Sequence, residues 1–280
     1  MLKLVWAVLF LFTTSASVFA SNAWDILEEV RDYGNKVVKV TMQKRALPRT
    51  YSCRVGGGVI EKMRQSMQGK PFPVIRKYWR NSGQGGEIRL RAEDARGNAF
   101  QDPSAGMIIM PLNLILTMFS LQENVAVLGA LGSMGNVDVA DYKEKYEGRL
   151  VSETLSTSRG NYDTYKLTLI PINPRGVKEG SGMSMGGELY SMKKIFWVDK
   201  ERGLIRKSYV ESILVNQGQK RRNTSEVVFE YAKFGGIFLP VRFVDLSTKM
   251  TTQVSYRKYG NYFLINTMES PKGKMSYAYK

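Results

Sequence analysis

The chain has 280 residues and a formal net charge of +16, with one cysteine and no histidine. The single thiol excludes an intrachain disulfide. The missing imidazole removes Ser-His-Asp and Cys-His catalysis and His-ligated zinc, so the composition points away from an enzyme and offers no catalytic residue, metal site or cofactor.

The N-terminus reads as a secretory leader. Lys3 gives a short positive start, Leu4 to Phe12 an apolar stretch, and Val18-Phe19-Ala20 a cleavage site after Ala20. An uncleaved anchor is the other reading, although the apolar core is shorter than the ~20 residues a span needs. No cysteine stands directly after the apolar stretch, which argues against N-terminal lipidation, and Cys53 reads as an ordinary strand residue. Export makes the domain plan a cleaved signal over 1–20 and one domain with insertions over 21–280. It directs the positive charge to anionic headgroups or acidic envelope polymers and not to nucleic acid; lysines and arginines that merely solvate outer strand faces are the plainer alternative.

Asn22 caps a helix whose apolar residues Ile26, Leu27, Val30 and Tyr33 recur at helical spacing. After Gly34, Val37, Val38, Val40 and Thr41 favour a strand, with a continued helix the alternative. Residues 50–100 read as sheet, most clearly where Ile88, Leu90 and Ala92 alternate with Glu87, Arg89 and Arg91. The clusters at 56–58 and 83–86 lack phosphate-loop spacing and read as turns or bulges.

Pro111 to Leu131 reads as a helix apolar nearly all round, with Leu114, Met118 and Leu121 on its main stripe. Two readings stay open: a buried core helix, or the lid of a greasy cavity, for which nearby methionines are suited. Residues 137–172 read as more sheet, with Tyr165, Leu167 and Leu169 on one face. Asp138, Asp141, Glu144 and Glu147 recur three apart and read as a solvated helical or loop face. A hydrolase working through two of them is the competing idea. The glycine-rich stretch 176–187 reads as a loop, and Val254 to Ile265 as the last strand or pair.

The segment 195–243 carries most information. IFWVDKERGLIRK at 195–207 and FEYAKFGGIFLPVRF at 229–243 are aromatic runs folding back around Lys-Glu-Arg-Gly and Phe-Gly-Gly turns, which predicts an antiparallel meander. Strands with a few helices make an α+β chain. The order of aromatic strand, charged glycine turn, return strand and Leu-Pro strand resembles the LolA/LolB-like outer-membrane lipoprotein-sorting group. The resemblance covers about the last 120 residues and, weakly, the first helix. It implies a twisted antiparallel sheet forming an incomplete β-barrel, with helices covering its concave face and acyl chains held between. It further implies a periplasmic carrier of a lipid or acylated protein, with an inner-membrane exporter of the resistance-nodulation-division type as partner. An RseB/MucB-like envelope sensor or scaffold is the alternative. Facing and apolarity nominate Trp197, Phe229, Tyr231 and Phe243 on the sheet, with Leu114, Met118 and Leu121 on the helix, as the ligand-binding set.

Overall fold

The computed structural model describes residues 22–41, 50–58, 61–62, 65, 74–81, 86–94, 96–100, 139–182, 187–271 and 273–279. The leader expected over 1–20 and the helix expected at 111–131, with Leu114, Met118 and Leu121, lie outside them.

The chain is α+β. Helix α1 (Ala23–Thr41) precedes strands β1 (Thr50–Gly56), β2 (Val74–Asn81) and β3 (Gly86–Glu93). Helix α2 (Val139–Lys145) leads into β4 (Tyr146–Thr157), β5 (Gly160–Pro171) and β6 (Val177–Gly182). Then come β7 (Gly187–Asp199), β8 (Ile205–Asn216), β9 (Gln219–Phe234), β10 (Ile237–Asp245), β11 (Met250–Tyr259), β12 (Tyr262–Ser270) and β13 (Gly273–Tyr279). They form one open antiparallel sheet in the order β3-β2-β1-β13-β12-β11-β10-β9-β8-β7-β5-β4, with β6 paired to β7. From β7 to β13 each strand pairs with the next through a short turn, as the meander pattern requires. Gly235 and Gly236 turn β9 into β10 with φ of 54° and 93°, values that glycine adopts without a steric penalty.

Asn22 caps α1 as its sequence predicts. Its Oδ1 accepts hydrogen bonds from the Trp24 amide at 2.8 Å and the Asp25 amide at 3.1 Å, while its own amide donates to Asp25 Oδ2 at 3.1 Å. The strand expected after Gly34 is overturned, because α1 continues to Thr41. Ala23, Ile26, Leu27, Val30, Gly34 and Val37 are all buried along one stripe. That burial outweighs the few tenths of a kcal/mol by which valine disfavours helix.

The helix packs against β4, β5, β10 and β12. These strands stand far apart in the sheet order, so one helix ties together well-separated parts of the sheet. At the first turn β4 approaches closely because residue 148 is glycine. A Cβ there would lie 2.8 Å from Ala23 Cβ and 3.2 Å from the Trp24 ring. At the other end the Tyr33 hydroxyl donates to the Phe238 carbonyl at 2.7 Å and accepts from the Phe238 amide at 2.8 Å. The helix is therefore fixed to β4 by shape and to β10 by hydrogen bonds.

Three further expectations are corrected. Residues 139–145 begin the 137–172 region as helix, since Val139 packs into the core while Asp141 pairs with Lys145 at 2.5 Å on its exposed side. The glycine-rich stretch contains β6 over 177–182, whose backbone pairs with β7 from Val177↔Ser191 to Gly182↔Gly187. The sheet also does not end with a pair at Ile265, because β13 follows and returns to meet β1. Cys53 lies in β1, in register with Tyr277 and Lys77.

Candidate ligand-binding face

Strand alternation gives the sheet two unlike faces. The face bearing α1 is mostly apolar, but Lys194 of β7, in register with Leu169, is buried on it against the Tyr142 and Tyr146 rings and donates to the Tyr142 hydroxyl at 2.9 Å. On the same face Leu167 of β5 is paired with Phe196 of β7, and Phe229 of β9 with Phe243 of β10. The last two rings meet edge to face, with centroids 5.6 Å apart and planes at 88°. Beyond them Val254, Met268 and Met275 form a cross-strand row on β11, β12 and β13, and in register that row continues through Val55 and Ile75 to Ala92. Val254, Met268, Met275 and Ala92 are buried. Ile26, Leu27 and Val30 of α1 join the same cluster.

The phenols on this side face backbone acceptors. Tyr231 donates to the Ile205 carbonyl at 2.8 Å and Tyr256 to the Pro240 carbonyl at 2.8 Å, and Tyr279 donates to the Ile265 carbonyl. Burial pushes the Tyr231 phenol up, against the pull of the nearby Arg206 charge. Burial likewise raises Tyr256, and it raises Tyr33 in spite of the Phe238 hydrogen bond. All three stay protonated at neutral pH, so the face holds no anion from these groups.

A buried ion pair sits at the β7–β8 end, with Arg202 at its edge 3.6 Å from Asp199. Asp199 and Arg206 are both sealed, and the guanidinium donates to Asp199 Oδ2 from Nε at 3.0 Å and from Nη2 at 2.6 Å. Asp199 Oδ1 accepts from the amides of Glu201 and Arg202 at 3.0 and 3.1 Å, so the carboxylate shapes the turn while it balances the charge. The guanidinium is flanked by the rings of Tyr162 at 4.2 Å and Tyr231 at 5.4 Å.

The reverse face is charged and self-paired. Lys166, Trp197 and Lys207 stand side by side on β5, β7 and β8. The two ammonium groups lie 5.3 and 4.6 Å from the indole centroid. The Trp197 indole N–H donates to Glu153, which also accepts from Lys166 at 3.2 Å, and Lys207 pairs with Glu226 at 2.6 Å. Burial works to raise the Glu153 carboxyl, but the Trp197 and Lys166 hydrogen bonds and the neighbouring lysines hold it below the usual range.

The structure thus brings Phe229, Tyr231 and Phe243 together on the α1 side and puts Trp197 on the opposite side of β7. Phe196 and Trp197 are consecutive strand residues and must point apart. Phe196, with Val198 beside it in the core, takes the inward place. Sequence reasoning passed over Phe196, Met268 and Met275. Strict alternation along β7 signals the first, whereas the methionines become visible only once β12 and β13 are paired. Asp141, Glu144 and Glu147 lie exposed or half-exposed on and just after α2, while Asp138 is outside the described residues. Among the described residues no group of three His, Cys, Asp or Glu could hold a metal ion.

No family model matches the chain, and neither the curated proteins nor the solved structures contain a match.

Proposed function

We propose that this chain is a periplasmic binder and carrier of a lipid or lipid-modified protein. The ligand's acyl chains lie along the apolar face in the company of Phe229, Tyr231 and Phe243, and helices cover the concave side of the sheet in the manner of an incomplete barrel. The reaction is physical transfer and not catalysis.

One observation carries this reading. In the sheet order β8 stands between β10 and β5, within the span of strands that α1 touches. There Val210 and Leu214, which share the face of Phe196 by register, are only half-buried, and the residues between and before them are the small Ser208 and Ser212. Apolar side chains left half-covered within that span are a place where a ligand's hydrocarbon can lie. Each methylene moved there from water contributes about 0.8 kcal/mol, so one or two acyl chains bind tightly without a dedicated polar site.

The test is native mass spectrometry of the protein purified from its own envelope, followed by organic extraction and identification of any lipid. A stoichiometric lipid or acylated peptide supports the reading and names the ligand. A clean apo mass that takes up no added lipid or acylated peptide removes it and leaves a structural or protein-binding role.

A further inference from the structure

We infer that the reverse face carries a second, separate binding site, built for a single-chain anionic amphiphile such as a free fatty acid or alkyl phosphate. The site lies where the β5–β6 turn crosses β7, β8 and the start of β9. A groove of about 360 Å³ is lined there by Pro174, Arg175, Tyr190, Met192, Ile213, Val215 and Lys220. Small-molecule sites begin at about 300 Å³.

The groove exists because of local geometry. The Asn173 side chain accepts from the Arg175 amide at 2.9 Å and its carbonyl from the Gly176 amide at 2.8 Å, which folds the turn tightly. Gly176 then passes against β7 with φ of +87°. A Cβ there would lie 2.7 Å from both Met192 Sδ and the Ser191 carbonyl. Glycine therefore lets the turn stand as a wall over the strand. Register places Ile213 beside Tyr190 and Val215 between Glu188 and Lys220, on the face opposite Phe196 and Leu214. Met192 is the extra residue of a β-bulge between Ser191 and Lys193, which opens the floor further.

Charge selects the occupant. Neighbouring charges are neutralised in pairs: Lys178 with Glu188, to which Tyr190 also donates at 2.6 Å, and Arg222 with Glu211 at 2.7 Å. Arg175 and Lys220, which line the groove itself, are exposed, and among the described residues no carboxylate pairs with either. Two free cations above an apolar floor of Met192, Ile213 and Val215 match a ligand with one anionic end and one hydrocarbon body. A neutral amphiphile lacks the first term and a small inorganic anion the second.

This site does not depend on the carrier reading, because it is on the other side of the sheet. The experiment uses the full chain with dodecanoate bearing a terminal diazirine, kept below its micelle concentration, and maps photo-adducts by mass spectrometry. The expected result is labelling within 190–192 or 213–215, at least tenfold weaker for the matching alcohol and for Arg175→Glu/Lys220→Glu. The two changes are on exposed side chains, and circular dichroism verifies that the double variant is folded. Adducts confined to the Phe229 side, labelling unaffected by charge reversal, or no labelling would each overturn the site. Labelling that appears only with phosphatidylglycerol vesicles would also overturn it, in favour of a membrane-docking surface.

Discussion

Arg206 and Asp199 meet at 2.6 Å with side chains that are 7% and 5% exposed, at the meander's first turn, where Arg202 also approaches Asp199 at 3.6 Å. Removing Asp199 takes the carboxylate partner from the buried Arg206 guanidinium, at a cost of about 3–5 kcal/mol. Asp199→Ala is expected to lose stability of that order in urea unfolding. Asp199→Leu/Arg206→Met, which buries neither charge, is expected to be nearer the native value than Asp199→Ala. Equal losses in the two variants would assign the whole effect to the turn amides that Asp199 also holds.

Glu153 ties the reverse face to pH. Its carboxyl is held below its ordinary 4.5 in the folded chain, so its contribution is complete above the unfolded value and is lost as pH falls through the folded one. Trp197 donates to this carboxylate, and its fluorescence reports the event directly. An acid titration is expected to show an emission change with a midpoint below 4.5 that Glu153→Gln abolishes. A midpoint above 4.5 would contradict the direction of the shift.

Tyr33 holds the second half of α1 to β10 through both backbone groups of Phe238. Tyr33→Phe keeps the ring and deletes both bonds, which is expected to cost about 1–3 kcal/mol. The sharper readout is hydrogen exchange at the Phe238 amide, which should lose protection in the variant while amides in the β8–β9 ladder keep theirs. Unchanged exchange at that position would remove the clasp.

Gly148 sets how closely β4 meets the start of α1. In Gly148→Ala the new methyl would stand 2.8 Å from Ala23 Cβ, and both atoms belong to backbone-fixed groups. The helix start must shift, with an expected loss of about 1–3 kcal/mol. Gly148→Ala/Ala23→Gly vacates that contact and is expected to recover part of the loss beyond what glycine costs at a helix start. A fully stable Gly148→Ala would show that α1 is not wedged there.

The parts of this fold that were legible in the sequence are those fixed locally. The Asn22 cap, the Lys200–Gly203 and Gly235–Gly236 turns, and the burial of Leu167 and Leu169 each follow from a few neighbouring residues. What was missed depends on remote partners. Val37 is a good strand residue by propensity, and only the sheet beneath α1 makes it helical. Residues 208–228 look like a charged gap, yet Glu211, Arg222, Lys207 and Glu226 are cross-strand partners on one face of a long hairpin. Trp197 reads as a cavity residue by type, but its strand neighbours Phe196 and Val198 claim the inner face. The site was legible to the extent that Phe229, Tyr231 and Phe243 share a face; the groove beneath Arg175 was not, because it arises from a turn folding over strands that are distant in sequence.

The pairing of β1 with β13 has a consequence for how the chain is made. Among the described strands, β1, β2 and β3 reach the rest of the sheet through Gly273–Tyr279 alone. Residues 50–93 leave the ribosome early, while the strand they need leaves much later. Until then they have each other but no neighbour on the β1 side, and an unpaired strand edge of that kind invites association with other chains. A chaperone that shields residues 50–93 until the last strand emerges would suit this topology, and loss of seven residues from 273 onward would detach three strands at once.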